Sequence, residues 1–154
     1  MQDDAIATIE GALITLVRRA NDPRGNREMH RTAGADIERA GAVMLARVEE
    51  HEPARLSVLA DAAGVEVSTA SRQVARLVEE GYVSREPDPD DRRASAHRLT
   101  PAGRDLRRRL AAARRAWLEG VLADFDADDV ATFAHLLGRF VDEVEAAHLA
   151  SEAR

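Results

Sequence analysis

The stretch from Leu56 to Arg98 constrains this chain more than any other, because its helix and strand signals alternate over only 43 residues. It reads LSVLADAAGVEVSTASRQVARLVEEGYVSRE and continues PDPDDRRASAHR. Ser57 has the hydroxyl of an N-cap, so a short helix is expected over 57–63, with Leu59, Ala60 and Ala63 on its buried side. Gly64 has no Cβ and tolerates the positive φ of a sharp turn. A second helix is expected over about 66–80, closed by Gly81 as a C′ glycine. Helical angles place Val67, Ala70, Val74, Leu77 and Val78 on its core face and Ser68, Thr69, Arg72 and Arg76 on the opposite side. Ser71 falls beside the core face, and Glu79 and Glu80 share the outer one. Two strands, 82–86 and 95–99, then flank a polar loop over 87–94.

Helix, glycine turn, helix and hairpin in that order read as a helix-turn-helix with a β-wing. Such a unit holds one helix in the DNA major groove and a loop beside it. Ser68 and Thr69 hydroxyls suit phosphates or base edges, and Arg72 and Arg76, one turn apart, carry guanidinium forks that match guanine O6 and N7. An ordinary solvated helix face is the competing reading of those two arginines. In the loop, Asp91 is expected to orient Arg93 by a charge-assisted hydrogen bond while Arg93 enters the minor groove. A solvated polar turn is the competing reading there.

The remaining chain is helical in pattern. Ile6, Ile9, Leu13, Leu16 and Val17 recur at steps of three and four over 3–20, and Asn21-Asp22-Pro23 stops that helix. Residues 22–35 read as a loop or a frayed short helix. From Asp36 a helix continues through Ile37, Ala40, Met44 and Val48 to His51-Glu52, before Pro53, and residues 54–56 are candidates to pair with the wing. Thr100 as N-cap and Pro101 at N1 start a long helix whose stripe is Leu106, Leu110, Ala113, Trp117 and Val121, with Leu118, Leu122 and Phe125 beside it. Asp126-Ala127-Asp128 breaks it and caps a last helix carrying Val130, Phe133, Leu137, Phe140 and Val144. These stripes exceed what a small winged helix can cover, which implies a homodimer.

Composition excludes several function classes. With no cysteine, a thiol redox sensor, a Cys zinc site and a disulfide framework are all ruled out. Scarce aromatics favour helices over sandwiches or barrels. No apolar run approaches the roughly 18 residues of a membrane span, and no signal peptide is evident, so a soluble cytoplasmic protein is expected. The formal charge of −6 sits in one place: residues 120–154 hold eight acids and two arginines, leaving the first 119 residues neutral. Local distribution, not net charge, therefore decides whether DNA can bind. All 22 basic residues are arginine, which genomic base composition explains without a functional cause. Among His30, His51, His97, His135 and His148 no pair has the spacing of a helical metal site; Glu145 and His148 read as a surface pair. No nucleophile elbow, P-loop or dinucleotide fingerprint is present, so no enzyme, cofactor or metal is expected.

In this order and spacing the fragments resemble the multiple-antibiotic-resistance regulator (MarR) family of bacterial winged helix-turn-helix transcription regulators. The resemblance rests on Leu59-Ala60, Gly64-Val65, Ser68-Thr69, Ser71-Arg72, Leu77 and Gly81. Asp91-Arg92-Arg93 matches the Asp-x-Arg of the family's wing, and Leu99-Thr100-Pro101-Ala102-Gly103 its post-wing signature. It covers nearly the whole chain. It implies a mainly α fold with a small β-wing, in a single domain over 1–154, with dimerisation helices at 3–21 and 100–148 around a DNA-binding lobe at 36–99. It further implies a homodimer on a pseudo-palindromic operator in double-stranded DNA, usually repressing a neighbouring gene. Ser68, Thr69, Ser71, Arg72, Arg76, Arg92 and Arg93 become the expected DNA contacts. Some members bind small phenolic or lipophilic ligands, for which His30, Met44 and Trp117 are candidates here, although core packing accounts equally well for Met44 and Trp117. Two departures stand out: Glu66 occupies the position that usually caps the recognition helix, so that Ser68 becomes an alternative cap, and the family's oxidation-sensing cysteines are missing. A winged-helix protein-interaction module, or an antirepressor without direct DNA binding, is the alternative function.

Overall fold

The structure, a computed structural model, describes residues 2–34, 37–88, 90–91 and 93–152. The elements run α1 (Gln2–Ala20), α2 (Pro23–Thr32), α3 (Arg39–His51), α4 (Leu56–Ala63), α5 (Val67–Glu79), β1 (Val83–Pro87), β2 (Ser95–Leu99), α6 (Pro101–Val121) and α7 (Ala127–Glu152). The chain divides into two compact units, Met1–Arg115 and Ala116–Arg154. The described residues are thus mainly helical with a two-stranded antiparallel sheet, as the sequence implies.

The core of the first unit is built where α3, α4, α5 and the hairpin meet. Leu45, Val48, Leu59, Val74, Leu77 and Leu106 are its largest fully buried side chains. The amphipathic spacing of α5 directs Ala70, Val74 and Leu77 inward, and α6 contributes Leu106 and Leu110 from its first half. Each such side chain taken from water stabilises the lobe by roughly 1.5–3 kcal/mol. The core therefore fixes where the exposed face of α5 points.

Several element boundaries differ from the sequence expectation, each for a local reason. Asp22 stops α1 and also starts α2: its carboxylate accepts the Arg24 amide at 3.0 Å, and Pro23 follows at the first helical position. Of the two readings of this stretch, a loop or a short helix, residues 23–32 take the helix. Helix α3 begins at Arg39. Ile37 precedes it and folds back over Gly41, where an added Cβ would lie 3.1 Å from Ile37 Cγ1, and Ala40 is exposed. The expected start at Asp36 falls outside the described residues. Helix α4 starts at Leu56 with Arg55 in the N-cap position, so Ser57 is already helical and caps nothing. Helix α5 starts at Val67 with Glu66 in the N-cap position and no side-chain cap; Ser68 lies inside the helix. Val67, at that first helical position, is 48% exposed and does not join the core face.

Other joints form as the sequence dictates. Gly64 and Gly81 adopt φ of 63° and 78°. At Gly81 the amide reaches Val78 O at 3.0 Å and the next amide, Tyr82, reaches Leu77 O at 2.9 Å, the double bond of a Schellman cap. Thr100 caps α6, its Oγ1 accepting the Gly103 amide at 3.0 Å while donating to Gly81 O at 2.7 Å. The hairpin register pairs Val83 with Leu99 and Pro87 with Ser95. Ala54 joins it through a single bridge to His97, as anticipated for the residues after Pro53.

In the second unit, Asp126 Oδ1 accepts the Asp129 amide at 2.8 Å and starts α7. Helix α7 carries Phe133, Leu136, Leu137, Phe140, Val141 and Val144 with their side chains largely exposed in the isolated chain. No helix among the described residues is long and apolar enough to cross a membrane.

Candidate nucleic-acid interface

Packing of Ala70, Val74 and Leu77 leaves the other side of α5 free to act. Ser68 and Arg72 are exposed there, and Thr69 and Ser71 are half-buried. Arg72 donates from Nη2 to Thr69 Oγ1 at 3.2 Å, one turn back. No acid pairs with Arg72 among the described residues, so its charge is unspent. Arg76 differs. Its Nε lies 2.9 Å from Glu80 Oε1 and its Nη1 3.3 Å from Glu38 Oε1, so two carboxylates hold it on the surface. Hydrogen bonds to Glu80 and then Glu38 raise its pKa further above the usual arginine value.

The wing is organised by Asp88, a residue the sequence reading passed over. It is 6% exposed, and four hydrogen bonds converge on its carboxylate. Arg55 donates from Nε to Oδ2 at 2.7 Å and from Nη2 to Oδ1 at 3.0 Å. The amides of Asp90 and Asp91 donate to the same Oδ1 at 2.9 and 3.0 Å. The Arg55 hydrogen bonds, then the Asp90 and Asp91 amides, hold the carboxyl well below the usual aspartate range, against the opposing effect of its own desolvation. At the mouth of the loop the Asp88 amide bonds to Ala94 O at 3.0 Å, and the Ala94 amide to Asp91 O at 2.8 Å.

Asp91 Oδ1 accepts the backbone amide of Arg93 at 3.0 Å. This acid therefore sets the backbone at Arg93, where a bond to the guanidinium was expected. The Arg93 side chain is exposed. Arg92 lies outside the described residues. The local signal for Asp88 was available: an aspartate just before a turn commonly captures amides two and three residues on. Nothing local marks its partner, because Arg55 lies 33 residues away.

At the base of the hairpin, His97 and Ala54 exchange backbone bonds at 2.9 and 3.1 Å. The imidazole Nδ1 lies 3.2 Å from Ala54 O, and burial pushes its pKa down. Glu52 accepts the Leu99 amide at 2.7 Å and pairs with Arg104, and Arg107 pairs with Glu49 at 2.9 Å. Desolvation acts to raise the Glu52 pKa, but the Arg104 hydrogen bond and the Leu99 amide bring it below the usual glutamate value. These bonds fasten the hairpin and the start of α6 to the C-terminal end of α3.

The three candidate ligand residues occupy different settings. Met44 is in the core of the first unit. His30 is buried, with Nδ1 2.7 Å from Ile37 O, a bond that ties α2 to the segment leading into α3. Trp117 belongs to the second unit and is exposed. Among the described residues no group of three His, Asp or Glu is placed to hold a metal ion.

Comparison with known proteins agrees with this geometry. Residues 37–95 match the model of the MarR family. An uncharacterised HTH-type transcriptional regulator of Bacillus subtilis, YxaD, is 31% identical over 134 residues, spanning 87% of this chain and 91% of the relative. A MarR family protein of Bacillus stearothermophilus shares the fold with a TM-score of 0.80 at 22% identity, covering 94% of this chain and 99% of that one. The Staphylococcus aureus MarR in complex with salicylate and kanamycin superposes with a TM-score of 0.74 at 17% identity, over 92% and 93% of the two chains. A helix-turn-helix closed by glycines, a wing with Asp-x-Arg at its tip and a relative this similar over most of its length lead to one assignment: the chain belongs to the MarR family of transcription regulators.

Proposed function

We propose that this DNA-binding regulator works as a homodimeric repressor that a small lipophilic or phenolic ligand releases from a pseudo-palindromic operator. The observation that carries the DNA contacts is the contrast among its arginines. Among the described residues, Arg72 on α5 and Arg93 on the wing are exposed with no acid on them, whereas Arg55, Arg76 and Arg98 are each held by a carboxylate. Arg72 reads a base edge in the major groove, flanked by Ser68, Thr69 and Ser71 on phosphates, and Arg93 enters the minor groove with Arg92 beside it. Arg76 serves a phosphate only by exchanging Glu80 and Glu38 for it. The terminal helices, 3–21 and 100–148, form the dimer, and the lobe over 36–99 carries the DNA surface. The salicylate on the Staphylococcus aureus relative supports a ligand of that class, with His30, Met44 and Trp117 as the residues to test.

Selection of genomic fragments by the purified protein, followed by footprinting, tests the reading. Two half-sites roughly one helical turn (about 10 bp) apart are expected. Arg93→Ala is expected to weaken binding by about 1–3 kcal/mol, and Arg72→Ala also to relax base preference. A double variant that binds the selected fragment as tightly as wild type at physiological salt would sink the site assignment. A second reading is an interaction module or antirepressor without direct DNA contact. It is favoured by one feature, the capture of Arg76 by two acids on the outer face of α5. Failure of the wild-type protein to enrich any fragment would select it.

A further inference from the structure

Arg55 belongs to no DNA-reading element, yet it is the residue on which the wing is mounted. It stands in the N-cap position of α4, where it supplies no side-chain cap to its own helix. Its guanidinium instead forms the two-pronged bond to Asp88, and Asp88 in turn gathers the Asp90 and Asp91 amides. Asp91 then fixes the Arg93 amide. We infer that Arg55 is a positioning residue for the wing: through Asp88 and Asp91 it sets the backbone from which Arg93 reaches DNA. The inference rests on the DNA reading of Arg93.

The chemistry supports a relay more than a general contribution to stability. A planar fork meeting a carboxylate through two parallel bonds fixes orientation as well as distance, which a lysine in the same place would not do. Asp88 is almost fully buried while Arg55 is 43% exposed along its side chain, so the acid is the fixed element and the arginine the tether. Each member also has a distinct task. Asp88→Asn keeps an oxygen for the two amides but loses the charge that holds Arg55, whereas Asp88→Ala loses both. Arg55→Gln releases the tether and leaves the loop's own bonds in place.

Hydrogen exchange of the free protein decides the relay without DNA. Arg55→Gln is expected to speed exchange of the Asp90, Asp91 and Arg93 amides by roughly tenfold while core amides such as Val48 and Leu59 keep their protection. Asp88→Ala is expected to exceed it and Asp88→Asn to match it. Unchanged exchange at the three wing amides in Arg55→Gln overturns the inference. On the genomic duplex that the wild-type protein selects, Arg55→Gln is expected to weaken binding roughly tenfold, and to add little once Arg93 is alanine, because the two act in series. Additive losses with a shallower salt dependence would mean that Arg55 neutralises a phosphate itself, and would also overturn it. If the wild-type protein selects no duplex, the DNA reading fails, and the exchange data still judge the tether.

Discussion

At the scale of single residues, two positions show how little latitude the lobe allows. Gly103 faces the backbone of Tyr82 so closely that a Cβ built on it would lie 2.1 Å from the Tyr82 carbonyl oxygen. That carbonyl cannot retreat, since it accepts the Thr100 amide at 3.0 Å. Gly103→Ala therefore has to push α6 off the hairpin, and a loss of about 1–3 kcal/mol in urea unfolding is expected. A wild-type midpoint would show that the helix start can slide. Asp88 makes a different demand. Its folded pKa is depressed below the unfolded value, so its contribution to stability is fully present above the ordinary aspartate range, near about 3.9. It diminishes as pH falls below that range and vanishes only once the depressed folded pKa has been passed. The stability difference between wild type and Asp88→Asn is thus expected to be level from neutral pH to about 5 and to shrink below about 4. A difference that already falls between neutral pH and 5 would exclude a depressed carboxyl as its source.

Helix termini, at the scale of elements, separate what the sequence states from what it withholds. Thr100 and Asp126 cap α6 and α7 with the bonds their side chains imply. Glu66 stands at the N-cap position of α5 without a side-chain bond, so that no carboxylate meets a first-turn amide there. Glu66→Asp, short enough to reach that amide, is expected to stabilise the lobe by about 0.5–1 kcal/mol in thermal unfolding, and no change would mean the turn cannot admit the cap. Periodicity made α1, α5, α6 and α7 legible because each repeats apolar residues over several turns. It also made legible the α5 face that carries Ser68, Thr69 and Arg72. It failed for α2, whose ten residues PRGNREMHRT contain a single methionine as apolar anchor. Here the evidence lay in the cap, as Asp22-Pro23 ends one helix and begins the next. It failed again at α4, where Arg55 and not Ser57 stands in the cap position, its side chain engaged with Asp88, a partner that no local pattern marks. The same cause hid the organisation of the wing: Asp91 and Arg93 are neighbours in sequence, but the bonds that place them come from a residue on another element.

For the whole molecule, the decisive quantity is apolar surface left uncovered. Helix α7 exposes Phe133, Leu136, Leu137, Phe140, Val141 and Val144, and α1 exposes Ile6, Ile9, Ile14, Leu16 and Val17. Isolated exposed leucines are ordinary on protein surfaces, but stripes repeated along two helices are what the proposed homodimer would cover. In the proposed homodimer they are covered by a second copy, and the two recognition helices are thereby set one DNA turn apart. The stripe on α7 can be tested without disturbing the lobe, since Phe140 belongs to the second unit and Asp88, Arg72 and Arg93 to the first. Phe140→Glu would place an unpaired charge in the dimer interior, at a cost of several kcal/mol per ion. The variant is expected to elute as a monomer by light scattering, to lose the protein-concentration dependence of its thermal midpoint, and to bind the selected operator with a single half-site footprint. Its lobe should keep the wing-amide protection of the wild-type protein. A Phe140→Glu protein that remains dimeric at micromolar concentration would remove α7 from the interface, and a monomer that still protects both half-sites would separate dimerisation from operator recognition.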